Sequence, residues 1–171
     1  AMVTNLGSIG TEELVFNDLK DNTEYIAYAV GIDENFFVNS APSAVRFTTK
    51  KSVQSSNTFV IDIQEATFCT VKGTVTPSND DPFVCVVQSK SQFAEYESES
   101  DIMYDIVNSY LKWDSLDGIL YAGEVVNLED ISSLSPETEY EVFCFGWDEA
   151  PTTALTRASF TTSAAGGRPQ A

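Results

Sequence analysis

The sequence contains no histidine, so no Ser-His-Asp or Cys-His relay, His-ligated zinc site or imidazole proton shuttle can be assembled within it. Cations are scarce too: nine Lys and Arg stand against twenty-six Asp and Glu, a formal net charge of −17. With no local basic patch to offset it, that charge repels a phosphate backbone, and nucleic acid is not an expected partner. Cysteine is sparse. Cys69, Cys85 and Cys144 are too few for a disulfide framework and lack C-x-x-C spacing, so they read first as buried free thiols. No stretch approaches the apolar run of a membrane span, and the N-terminus lacks the basic-then-apolar layout of a signal peptide. Direct membrane insertion of this chain is not expected. Carboxylate-pair chemistry and Ca²⁺ binding survive these exclusions, because both need only Asp and Glu.

What is present is enough for a core: 171 residues, 43% of them apolar, suffice for one ordinary domain or two small ones. An internal repeat decides for two. Leu19-Lys-Asp-Asn-Thr-Glu-Tyr25 returns 115 positions later as Leu134-Ser-Pro-Glu-Thr-Glu-Tyr140, and Gly31 and Asp33 fall on Gly146 and Asp148. After a two-residue shortening, Phe47-Thr48-Thr49 falls on Phe160-Thr161-Thr162. The later copy has about a hundred residues before its end and the earlier one about fifty. The expected organisation is a truncated first module over residues 1–49, a polar linker over 50–56, a complete module over 57–163 and a tail over 164–171.

Within the complete copy, short runs that suit strands cover residues 58–63, 68–75, 83–87, 119–127, 139–145 and 155–161. Turn residues punctuate them at Thr76-Pro-Ser-Asn-Asp-Asp-Pro82, Ser135-Pro136 and Asp148-Glu-Ala-Pro151. Strands at that spacing predict a β-sandwich. One segment departs from period two: Met103, Ile106 or Val107, Tyr110 and Trp113 recur every three to four residues, which predicts a helix near 100–113 capped by Ser100.

That helix has a purpose in the pattern. Along residues 140–147, Tyr140, Val142 and Cys144 form one face and Phe143, Phe145 and Trp147 the other. A strand with one solvated face alternates apolar and polar, so something must cover the second apolar face. The helix is the nearest candidate. Ile26, Tyr28 and Val30 repeat that face in the first copy, which predicts a similar cover in its missing part.

Leu134-x-Pro136-x-Thr138-x-Tyr140 followed by alternating apolar residues resembles the E–F corner of fibronectin type III modules, with Asp21 replacing the proline in the first copy. The resemblance implies tandem immunoglobulin-like, fibronectin type III-like β-sandwich modules, the second carrying one inserted helix. It also implies that Tyr25 and Tyr140 are structural corner residues, each ring in the core and each hydroxyl bonded to nearby backbone. The first copy would then hold the E, F and G strands alone. With Thr74-Val-Thr-Pro-Ser78 and the acidic helical segment, the chain is similar to repeated modules of Bacteroides-type surface lipoproteins, which implies an extracellular, cell-surface location.

Candidate sites follow from these readings. Glu95-Tyr-Glu-Ser-Glu-Ser-Asp101 with Asp105 reads as a solvated helix entrance placed by the dipole. Asp33-Glu-Asn35 and Asn79-Asp-Asp81 are oxygen-rich, yet neither matches the twelve-residue EF-hand pattern. Neither a metal nor a cofactor is expected. Cys69 and Cys144 share inward parity with Val71 and Val142, which sets them across the sandwich as the immunoglobulin pair is set, whether bonded or as two thiols; Cys85 has no evident partner. Phe36 and Phe37, in the loop that closes the first copy's hairpin, are candidate partner contacts.

The expected function is a non-catalytic surface module that adheres, binds or spaces within a larger protein, its partner a cell-surface protein or glycan. The alternative is an accessory domain of a surface carbohydrate- or peptide-processing enzyme. A second chain or fragment is expected to complete the first module, because a few strands with two apolar faces do not stand free in water.

Overall fold

The computed structural model describes residues 16, 19–112, 115–131 and 133–165. Its contacts divide the chain into Ala1–Lys51 and Ser52–Ala171. It is mainly β, with 40% of the described residues in strands and 14% in helices.

In the first unit, β1 (Glu24–Ala29) pairs antiparallel with β2 (Ser43–Thr48), from Glu24 opposite Thr48 to Ala29 opposite Ser43. A bridge between Ile32 and Val38 carries the hairpin onward. Tyr25 and Phe47 stack across the pair with ring centroids 6.0 Å apart. Among the described residues β1 pairs only with β2, and the strand expected before it falls on residues outside the description.

The second unit has two antiparallel sheets. One runs β3 (Phe59–Ala66), β4 (Val71–Pro77), β7 (Val126–Asn127); the other runs β10 (Thr156–Thr161), β8 (Glu139–Asp148), β5 (Pro82–Ser89), β6 (Leu120–Ala122), with β9 (Ala150–Pro151) folding back on the end of β8. A shared core joins the sheets: Phe59, Val71, Val75 and Val126 from the first meet Phe83, Cys85, Val142, Cys144 and Phe160 from the second. Each large side chain buried there contributes roughly 1.5–3 kcal/mol relative to exposure. The expected single run over 119–127 is divided instead. Gly123, at φ 72°, breaks it so that β6 pairs β5 while β7 crosses to pair β4, a reversal that glycine makes without a Cβ penalty.

The chain also turns where a strand was expected. Residues 68–70 lie outside β4, because the Thr67 hydroxyl accepts the N–H groups of Cys69 and Thr70 at 3.3 and 3.0 Å. That local bonding delays the start of β4 to Val71 and leaves Cys69 half-buried in the turn.

Between β5 and β6 lies α1 (Glu99–Leu111). Its cap is Ser98, not Ser100: Ser98 is extended (φ −130°, ψ 135°) and its side chain accepts the Asp101 N–H at 3.2 Å, leaving Ser100 within the first turn. Such a cap is worth about 1 kcal/mol. Trp113, assigned by pattern to this helix, lies outside the described residues. Ile102, Met103, Ile106 and Val107 form the buried stripe of α1. They cluster with Val84, Val86, Phe143, Phe145 and Trp147, with Tyr110 packed alongside. Tyr104 meets Trp147 edge-on at 5.6 Å, and Phe93 meets Phe143 edge-on at 5.1 Å. The second apolar face of β8 is thus buried beneath this helix.

Candidate functional site

The repeat extends to individual hydrogen bonds. Lys20 N–H donates to the Tyr25 hydroxyl at 2.8 Å, and Ser135 N–H donates to the Tyr140 hydroxyl at 2.9 Å. Thr23 and Thr138 each donate a side-chain hydroxyl to the carbonyl two residues back, at 2.7 and 2.8 Å. The backbone N–H of each donates to the hydroxyl of Thr49 or Thr162 at 3.0 Å. Those hydroxyls in turn donate to the carbonyls of Lys20 and Ser135, at 2.6 and 2.7 Å.

The other end of the hairpin repeats as well. Gly31 N–H donates to the Ser40 hydroxyl at 2.6 Å and Gly146 N–H to the Thr153 hydroxyl at 2.8 Å. Asn39 N–H and Thr152 N–H reach the carbonyls of Gly31 and Gly146, both at 2.9 Å. Side chains press on both glycines: a Cβ at Gly31 would lie 2.6 Å from Asn39 Oδ1, and one at Gly146 would strike Thr152 Oγ1. Thus β1–β2 and β8–β10 are two copies of one substructure, held by the same bonds.

Their surroundings differ. In the second unit β8 is paired on its other edge by β5, from Phe83 opposite Gly146 to Ser89 opposite Tyr140, and it is buried on both faces. In the first unit Tyr28, Val30 and Val45 are exposed.

The loop joining the hairpin differs too. The Asp33 carboxylate accepts the N–H groups of Asn35 and Phe37, each at 2.9 Å, and holds a tight turn. Phe36 sits in it at φ 63°, the left-handed region that a bulky side chain occupies at a cost. Glu149 takes the same conformation at the corresponding place, φ 57°. Phe36, Phe37 and Val38 are 77%, 71% and 65% exposed, three large apolar side chains in a row presented to solvent.

The other candidate residues separate. The Asp33 turn absorbs its carboxylate, and Asp81 accepts the Ser55 hydroxyl at 2.6 Å. Glu99 and Asp101 occupy the first turn of α1, where the helix dipole favours them. Among the described residues, no three His, Cys, Asp or Glu side chains gather so as to hold a metal ion. A cavity of about 150 Å³ opens beside β5, lined by Cys85, Tyr110, Asp117 and Asp130 among others. It is smaller than the roughly 300 Å³ at which small-molecule sites begin.

The cysteines require a correction. All three are free, and Cys69 lies in the β3–β4 turn away from inward strand parity. The neighbour of Cys144 is Cys85, directly opposite it in the β5–β8 ladder, with Sγ atoms 3.4 Å apart. The hydrogen bond to Cys85, reinforced by burial, raises the Cys144 pKa well above the ordinary thiol value.

Sequence reasoning also passed over Asn57. Its side-chain oxygen accepts the N–H groups of Ser78 and Asn79 at 3.0 and 3.3 Å, while its amide donates to the Asp81 carbonyl at 3.2 Å. An asparagine just before an alternating run and opposite a Pro-Ser-Asn-Asp turn was its only signal in sequence.

Comparison with family models, with characterised proteins and with solved structures finds no match.

Proposed function

We propose that this chain is a non-catalytic segment of an extracellular cell-surface protein, in which fibronectin type III-like modules, the second with its helix inserted between the third and fourth strands, bind and space. The division of the second unit into strands β3, β4, β7 and strands β6, β5, β8, β10 supports that reading, as do the two tyrosine corners. Bacteroides-type surface lipoproteins are the proposed setting.

The observation that carries a binding role is the tip of the first hairpin. A position that is left-handed in both copies is filled by Phe36, where Gly or Asn would cost less, and Phe37 and Val38 are exposed beside it. Such a ridge of rigid apolar side chains suits a cell-surface protein or glycan. The full chain, immobilised and probed with a glycan array and a panel of extracellular matrix proteins, should bind a defined subset. The F36A/F37A double variant should lose that binding without a change in melting temperature. Equal binding by the double variant, or none by the original chain, would count against the proposal.

The partner of the first unit's sheet is proposed to be a second chain or fragment that adds a strand to β1. Support comes from the copy: β8, built by the same bonds, takes β5 on the corresponding edge. The added strand should therefore be apolar on both faces, as Phe83-Val-Cys-Val-Val87 is.

A further inference from the structure

Cys85 and Cys144 belong to the two central strands of the second unit's larger sheet and stand 59 residues apart in sequence. Cys85 N–H donates to the Ile119 carbonyl at 2.9 Å, on the side of β5 away from β8. The Cys85–Cys144 pair is therefore a non-hydrogen-bonded position of the antiparallel ladder, where Cα atoms approach to about 4.5 Å. That separation lies within the range of roughly 4.4–6.8 Å that a disulfide spans. Both side chains point into the core between the sheets, and their sulfurs are already in contact at 3.4 Å.

We propose that Cys85 and Cys144 are a cross-strand disulfide site, closed by a low-molecular-weight disulfide during folding, and that Cys69 remains a thiol. Two exchanges complete the step. The thiolate of one cysteine attacks the oxidant's S–S bond, forming a mixed disulfide and releasing one oxidant thiolate. The second cysteine then attacks the protein sulfur of that mixed disulfide, closing the Cys85–Cys144 bond and releasing the other. The two cysteine protons leave with the two released thiols, so the protein loses two hydrogens and the oxidant is reduced by two electrons.

Access sets the timing. Both cysteines are fully buried once β5 and β8 have paired, so exchange belongs to the folding chain or to an opened sheet. The closed loop would carry α1, β6, β7 and α2 (Leu128–Ile131) and would lock β5 to β8 beneath the helix. Removing that freedom from the unfolded chain should move the denaturation midpoint upward.

The test is to reduce and denature the full chain and refold it in a mixture of reduced and oxidised glutathione. Intact mass and peptide mapping after alkylation should show a protein two hydrogens lighter, a Cys85–Cys144 cross-link and alkylated Cys69. The same oxidant added to protein already folded and reduced should act far more slowly. The C69A variant should oxidise as the original does, and the C85A variant should not. Should C85A fail to fold, C69A and the peptide map still decide. A refolded protein with three alkylatable thiols, or a cross-link that includes Cys69, would overturn the proposal.

Discussion

Asn22 and Glu137, in separate units, occupy the same left-handed step of the same corner, at φ 44° and 51°. Each donates its N–H to the carbonyl just after the closing Thr-Thr pair, Lys50 at 3.2 Å and Ser163 at 3.3 Å. Asparagine enters this region at modest cost, whereas glutamate pays the full contact between its Cβ and the backbone. Glu137→Gly should therefore stabilise the second unit by about 1 kcal/mol, read as a higher urea midpoint with an unchanged slope.

Tyr140→Phe should destabilise the second unit by about 1 kcal/mol, the order of one net hydrogen bond, with circular dichroism unchanged. The ring still stacks on Phe160, 5.8 Å away, so only the bond from Ser135 is lost. An unaltered melting temperature would mean that this bond contributes nothing.

Ile106 is buried where α1 meets Phe143 and Phe145. Ile106→Asp should cost roughly 3–5 kcal/mol, because a carboxylate there is buried without a partner. Ile106→Val should cost only about 1 kcal/mol, since it leaves a small cavity. Thermal melts of the two variants that coincide would contradict burial of this face.

Burial, followed by the nearby Cys85 and Glu124, raises the Tyr121 pKa from 10.0 to about 12. Its hydroxyl also donates to the Gly118 carbonyl at 2.8 Å, a bond only the neutral form can make. The folded state holds this proton more tightly than the unfolded chain does. The stability from this group is therefore whole below the ordinary tyrosine pKa and is lost as pH rises toward 12. Urea midpoints measured between pH 9 and about 12 should fall less steeply for Tyr121→Phe than for the original chain.

Much of this arrangement was legible in the sequence, because it depends on local pattern. The repeated Thr-Glu-Tyr and Phe-Thr-Thr segments marked both hairpins, and the apolar Phe143, Phe145 and Trp147 marked a face that needed a cover. Pairing was not legible. That Cys85 lies opposite Cys144 depends on the β5–β8 register, which joins segments separated by the helices α1 and α2 and two short strands. Cys69 was misplaced because one hydroxyl, that of Thr67, draws two backbone N–H groups into a turn where the residue pattern still reads as strand. Ser98 and Ser100 are equivalent in composition, and only backbone conformation selects the cap. The exposure of Phe36 and Phe37 depends on a left-handed turn that a phenylalanine rarely adopts.

The most direct test of the central proposal, that β1–β2, a copy of β8–β10, takes an added strand on β1 as β8 takes β5, is residue-resolved amide hydrogen exchange on the full chain. Glu141, Phe143 and Phe145 lie opposite Gln88, Val86 and Val84, the pairs whose N–H groups point between β8 and β5, and Ile26, Tyr28 and Val30 are their counterparts in the first copy. In the free chain these three should exchange faster than the β8 set by about 10³-fold or more. A saturating peptide carrying residues 79–90, the β5 strand with its flanks, should slow Ile26, Tyr28 and Val30 and leave the β8 set unchanged. Equal protection of both sets in the free chain, or no slowing by the peptide, would contradict the account.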